Sequence, residues 1–306
     1  MRSVVISIDA ELAWGFHDLP NPPTERISSA RKSWWYLIDL LEQTRIPATW
    51  AVVGHLFLDG CDGTHPNHPL SGSWFEQDPG GESHAESVWF GRDLIERVAE
   101  SEVSHEIGSH SFSHVEFGRP ETTRAVAEAE VEHAVELASR NGVGLESFVF
   151  PRNRVGHRRV LADNGFRCYR GVSPKRWYDG LVIRPFGKLL DHSLGMTHPP
   201  IVEPYTDEYG LVNVPPSIHL YTFEGAPRSV VETVFDAPIV RQTRLGLDAL
   251  RERDRGVFHL WLHPNDITGS EDRRRMESIA ELLVEYRQRY GIEIRTMADV
   301  ARRWSR

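Results

Sequence analysis

Apolar residues along the chain come in short runs of strand length, separated by longer stretches in which they recur every three or four positions. Residues 4–8 (VVISI) are a nearly unbroken apolar run, as expected of a strand covered on both faces. Over 28–44, Ala30, Trp34, Leu37, Ile38 and Leu41 fall on one helical face. A second strand is expected at 49–54 (TWAVVG), a helix at 92–100, a strand from 103 (VSHEIGSH), a helix at 121–140 and a strand at 147–150 (SFVF). The second half predicts strands at 166–169, 181–185, 211–214, 257–262 and 292–295. Its helices are expected at 229–253, with Pro238 as a point of breakage, at 271–290 and at 297–304. Alternating strands and helices predict a parallel sheet with helical crossovers, here closed into a distorted (β/α) barrel. No GxGxxG follows the first strand, which removes the main support for a nucleotide-binding sheet.

Two stretches break the alternation. Residues 59–87 are rich in Gly, Pro, Ser and Asp, and 186–209 are irregular; both read as loop excursions from a single domain spanning 1–306. A chain of 306 residues with a net charge of −9 offers no basic face for nucleic acid. Its two cysteines, Cys61 and Cys168, form no CxxC pair and no disulfide framework. The first fifteen residues lack a signal-peptide apolar core, and no apolar stretch approaches the ~20 residues of a membrane span. A cytoplasmic location is the resulting expectation.

Candidate chemistry lies where strands end, which in α/β barrels is where active sites are built. Asp9 and Glu11 follow the first strand, His110 and His114 the strand near 103, Pro151, Arg152 and Asn153 the strand SFVF, and His263 ends FHLWLH with Asn265 and Asp266 behind it. Two histidines and one carboxylate make a facial metal site with open positions, suited to zinc or another divalent first-row ion. His110 and His114 share a face if their segment turns helically, and Asp9 and Glu11 share a side if the strand continues. Either carboxylate could then bind metal while the other acts as a base. His105, in the same strand, reads as structural. His17, His55, His65, His68 and His84 read as loop or core residues, Trp261 as core, and Arg154, Arg158 and Arg159 as a solvated helix face.

The ordered set SIDAE, His110-Ser111-Phe112-Ser113-His114, FPRNRVG (150–156) and Leu262-His263 resembles the polysaccharide deacetylases, carbohydrate esterase family four with the NodB-like fold. GHLFL before the histidine motif and LADNGF…YRG after it share the family's cadence, so the resemblance runs along essentially the whole chain. It implies a seven-stranded barrel and a metal-dependent amidohydrolase that removes an N-acetyl or other small N-acyl group, such as formyl, from an amino sugar. By the same resemblance Asp9 is the general base, His263 the general acid, and Arg152 the residue that orients the base. Glu11, His110 and His114 hold one divalent ion, zinc with cobalt or nickel as alternatives. From their own positions, Trp14, Pro151 and Asn153 are the candidate substrate contacts; Trp14 and Trp89 could stack on a sugar face, although a large aromatic there is at least as often core packing. The family's adjacent aspartates are here spaced by Ala10. Glu11 takes the metal because its longer side chain spans the extra residue; the reverse assignment puts Asp9 on the metal. The late Asp–Trp element of the family is not evident, and Pro215-Pro216-Ser217 stands in its place. Two other readings are a cyclic-amide hydrolase of the allantoinase type and a non-catalytic carbohydrate-binding relative.

Overall fold

The structure, a computed structural model, describes residues 1–306 except 71, 85, 181–186, 189–190, 192–194, 222–237 and 305–306. Its centre is β1 (Arg2–Ala10), which pairs in parallel with β11 (Gly256–Leu262) along almost its whole length. On its other side β1 pairs with β12 (Glu293–Arg295) through its first half and with β2 (Thr49–Val52) through its second. From β2 the parallel sheet continues through β5 (Glu106–Ser109), β6 (Ser147–Val149), β7 (Cys168–Arg170) and β9 (Val212–Asn213). Short additions are β8 (Tyr205–Thr206), antiparallel on β9, and β10 (Ile218–His219), parallel on β11. Among the described residues the sheet has ten strands, more than the seven expected, although β11, β1, β2, β5, β6, β7 and β9 form an unbroken parallel run of that number.

The sheet curls until its ends approach. The chain that leaves β7's neighbour β9 crosses directly to β11: the Val214 N–H donates to the Tyr169 carbonyl, and the Ser217 N–H to the His259 carbonyl. Along β1, Val4, Ile6, Ile8 and Ala10 join the large outer core with the helices α1 (Thr24–Thr44), α5 (Pro238–Arg251) and α6 (Ser270–Tyr290). Val5 faces the other way, into a smaller core with Ala51, Val149, Val257 and Met297, the last carried by α7 (Met297–Trp304). This two-sided burial explains the continuous apolar run in the sequence. Further helices among the described residues include α2 (Arg92–Ala99), α3 (Arg124–Arg140) and α4 (Arg158–Asp163). The expected strand at 181–185 lies outside the described residues, as does the part of the expected 229–253 helix that precedes Pro238. Among the described residues no helix is long and apolar enough to cross a membrane.

Candidate metal centre and active site

Strand register decides which side chains meet. Ala10 pairs with Val52, and Val52 with Ser109, so the next residues, Glu11 and His110, stand at one level just beyond the sheet. Ile8 pairs with Leu262, so Asp9 and His263 are neighbours across the β1–β11 ladder. Val149 pairs with Arg170, bringing a guanidinium to the same rim. The alternation that points Val5 into the curl also points Ser7 and Asp9 there.

Glu11 Oε2 lies 3.1 Å from His114 Nε2 and 3.4 Å from His110 Nε2, and all three residues are buried. His110 Nδ1 donates to the Val149 carbonyl at 2.8 Å, which fixes the tautomer and leaves Nε2 as a bare lone pair. That Nε2 is buried and has no hydrogen-bond partner. Two imidazole nitrogens thus converge on one carboxylate oxygen, an arrangement that a cation would satisfy, so the donor set fits a divalent ion. The fold goes to some length to build it. A Cβ on Gly15 would sit 2.0 Å from Glu11 Oε1, so the Glu11 side chain can fold back only over a glycine.

The histidine pair does not sit on a helical turn. Ser111 and His114 both take positive φ, 62° and 66°, and the loop between them bends so that the rings come within 5.0 Å. The buried Glu130 of α3 holds this loop. Its carboxylate accepts the Phe112 and Ser113 N–H groups at 2.9 and 2.8 Å and the Ser113 hydroxyl at 2.5 Å. Left-handed backbone at non-glycine residues costs of order 1–3 kcal/mol each, and the Glu130 bonds help offset it.

Asp9 is engaged differently. Arg170, fully buried, grips it with two 2.6 Å hydrogen bonds, one to each carboxylate oxygen. Burial works to raise the Asp9 pKa, but Arg170, His110 and His263 outweigh it and the net direction is downward. Arg170 also donates to Ser7 Oγ at 3.0 Å and to Asn153 Oδ1 at 3.1 Å, and lies 4.5 Å over the Trp261 ring. Ser7 Oγ in turn meets His259 Nε2 at 2.8 Å, and His259 Nδ1 meets the Val214 carbonyl at 3.1 Å. Burial first, and then Arg170, pushes His259 down to about 3, so it is neutral. Its single ring proton goes to Val214 and its Nε2 accepts from Ser7, so both ring nitrogens of His259 are satisfied.

His263 Nε2 stands 3.7 Å from Asp9 Oδ2, while its Nδ1 meets Asp266 Oδ2 at 3.0 Å. Asp266 also accepts from His219 at 2.9 Å and from Arg26 at 2.6 Å. Burial lowers the pKa of His263, but the carboxylates of Asp266, Glu11 and Asp9 more than offset it and push it up to about 9. Both ends of this ring are thus positioned, and its Nε2 faces the same space as Asp9.

Several expected site residues take other places. Arg152 does not touch Asp9; its guanidinium pairs with Glu116 and Asp18, because its backbone turns left-handed (φ 50°) past the end of β6. Arg170 does the orienting instead. Trp14 offers no face to a sugar: it is fully buried against His55, Phe75 and Trp89. Pro151 is buried, and Asn153 supports Arg170. Trp261, read as core, is the surface on which Arg170 and His219 lie. Arg158 belongs to no merely solvated face, for it pairs with Asp207 and Glu208. His105 is structural, accepting the Ala48 N–H. The residues missed were Arg170 and His259. Their signals were present: YRG at a strand end, and the two-residue alternation of His259 with His263 in FHLWLH.

The family model of the polysaccharide deacetylases matches residues 11–161. A comparison with curated proteins finds no match. Among solved structures, a Mycobacterium smegmatis protein described as a polysaccharide deacetylase is 14% identical, with a TM-score of 0.62 over 98% of this chain and 89% of that one. A Pseudomonas aeruginosa PAO1 protein described in the same way is 15% identical, with a TM-score of 0.56 over 99% and 89%. The Puue allantoinase is also 15% identical, with a TM-score of 0.58 over 99% and 89%. At these identities the likeness is one of fold.

Proposed function

We propose that this chain, which belongs to the polysaccharide deacetylase family, is a metal-dependent amidohydrolase that removes an N-acetyl or other small N-acyl group from an amino sugar. The observation that carries the reading is the convergence of Glu11, His110 and His114 beside two further groups, Asp9 and His263, suited to move protons. Those three side chains leave coordination positions open, as catalytic rather than structural sites do. An ion held there, zinc being the best match to this N/O donor set with cobalt or nickel as competitors, supplies Lewis-acid polarisation of the acyl carbonyl and an acidified water.

The chain's own residues do the rest. Asp9, kept ionised and aimed by Arg170, takes a proton from the attacking water at a carboxylate oxygen. His263, kept protonated by Asp266, delivers a proton from Nε2 to the departing amine. The pair has the opposed protonation states that a base and an acid need at neutral pH. Glu11 rather than Asp9 is the ligand in this reading, because both oxygens of Asp9 are already committed to Arg170. The test is hydrolysis of a panel of N-acetyl and N-formyl amino sugars, as free sugars and as oligomers, alongside a cyclic ureide. Release of acetate or formate that vanishes in His263→Ala and after chelation supports the proposal. Turnover of the ureide alone refutes the sugar assignment.

A further inference from the structure

Away from this centre, four side chains of dissimilar sequence context meet. His55 follows β2, Cys61 lies in β3 (Gly60–Cys61), His65 follows it, and Asp78 precedes β4 (Gly81–Glu82). Asp78 Oδ2 is 2.8 Å from His65 Nε2, 3.1 Å from His55 Nε2 and 3.2 Å from Cys61 Sγ, and Cys61 Sγ is 3.4 Å from His55 Nε2. All four donor atoms lie within 4.8 Å of one another. We propose that His55, Cys61, His65 and Asp78 form a second metal site, a closed structural zinc site that staples the 59–87 excursion to the barrel.

Three features favour a metal over a hydrogen-bonded cluster. The first is a proton count. A neutral imidazole has one N–H, and His55 faces an acceptor at each nitrogen: the Trp89 carbonyl 3.2 Å from Nδ1 and Asp78 Oδ2 3.1 Å from Nε2. One lone pair therefore opposes an oxygen unless a metal cation stands between them or a second proton makes the buried ring an imidazolium. The second is donor chemistry. One thiolate, two imidazoles and one carboxylate oxygen are zinc's preferred ligands, and typical zinc bond lengths give tetrahedron edges of about 3.3–3.7 Å, a few tenths beyond the separations here. The third is an outer shell of the kind such sites have. Asp78 Oδ1 is occupied by the Gly80 N–H at 3.0 Å, leaving Oδ2 for a single bond, and the His55 ring packs on Trp14, Phe90 and Phe112. A cavity of about 320 Å³ reaches Cys61 and His65 and gives an ion a way in.

The excursion is far longer than the ~12–15 residues beyond which loops are uncommon in compact domains; among the described residues its only sheet is the two-residue pair β3–β4, and it sends Phe75 into the main core. A staple gives it a reason to hold its shape. Through Trp74, whose indole N–H donates to Ser113 Oγ at 2.9 Å, the stapled segment braces the loop between His110 and His114.

The site is independent of the proposed activity, and cobalt distinguishes the two centres because only this one contains sulfur. The protein is stripped with chelator, refilled with cobalt(II), and examined for bound metal and for thiolate-to-cobalt charge transfer in the near ultraviolet. Two ions per chain with the charge-transfer band are expected. Cys61→Ser and His65→Ala each lose one ion, and Cys61→Ser loses the band, whereas Glu11→Ala loses the other ion and keeps the band. A folded wild type that takes up cobalt without thiolate charge transfer overturns the proposal, as does Cys61→Ser retaining the band. Should either variant fail to fold, alkylation of Cys61 in the wild type decides. Strong slowing by zinc is expected, and an unchanged rate overturns the site.

Discussion

Replacing Arg170 with Met removes a charge and five hydrogen-bond donors from a position with no solvent access, while keeping most of the side chain's length. What is left behind is the Asp9 carboxylate, 3% exposed and stripped of both of its 2.6 Å hydrogen bonds. Breaking a buried ion pair from one side costs about 3–5 kcal/mol, consistent with about 4 kcal/mol for unit charges some 4 Å apart at an effective dielectric of 20. The cost depends on pH. In the wild type Asp9 is depressed below 3.8, so its stabilisation is present above that value and is lost as pH falls through the folded-state pKa. Without Arg170 the largest lowering influence is gone and burial is opposed only by His110 and His263, so the variant is expected to lose stability as pH rises. The gap between the two proteins therefore widens from pH 5 to pH 8, by about 1 kcal/mol or more. Urea unfolding at both pH values measures it, and Asp9→Asn/Arg170→Met should recover much of the loss. Arg152→Met, whose ion pair is partly exposed, should cost about 1 kcal/mol or less. If Arg170→Met costs no more than Arg152→Met, or costs the same at both pH values, the reasoning fails.

Glu130→Ala should destabilise by about 2–5 kcal/mol, since it leaves the Phe112 and Ser113 N–H groups buried without an acceptor, and should weaken metal binding through His114; calorimetry and metal titration test both. Gly15→Ala should lower affinity for the ion at Glu11 by about 10–100-fold while the far-ultraviolet circular dichroism stays unchanged. His263, raised from 6.5 to about 9, contributes stability that is full below 6.5 and is lost as pH rises through 9. As the acid of the reaction it should give a basic limb in the rate. That limb lies below 9 once an ion neutralises Glu11, and Asp266→Asn should move it lower by about one pH unit or more.

The strand–helix alternation and the polar residues at strand ends were legible because the side-chain periods of strands and helices are local properties. The 59–87 excursion was visible as composition, but its pairing of Cys61 with His55, His65 and Asp78 was not. Nothing local marks ligands spread over a loop without a repeating spacing, so the histidines there read as bland. The Arg152 assignment failed for a similar reason. Two arginines end neighbouring strands, and a single positive φ at Arg152 turns one away, which residue identity does not reveal. The two histidines do come together, but not by the helical route expected. A left-handed bend held by Glu130, 16 residues beyond His114 in the chain, brings the rings together instead.

The central claim is that Glu11, with His110 and His114, holds an ion while Asp9 stays free of it as a base. Zinc affinity of chelator-stripped wild type, Glu11→Ala and Asp9→Asn tests it most directly, with Cys61→Ser as the common background so that only this centre is counted. One bound ion is expected in the parent, none in Glu11→Ala, and one retained by Asp9→Asn with hydrolysis abolished. Loss of the ion from Asp9→Asn together with its retention by Glu11→Ala would contradict it.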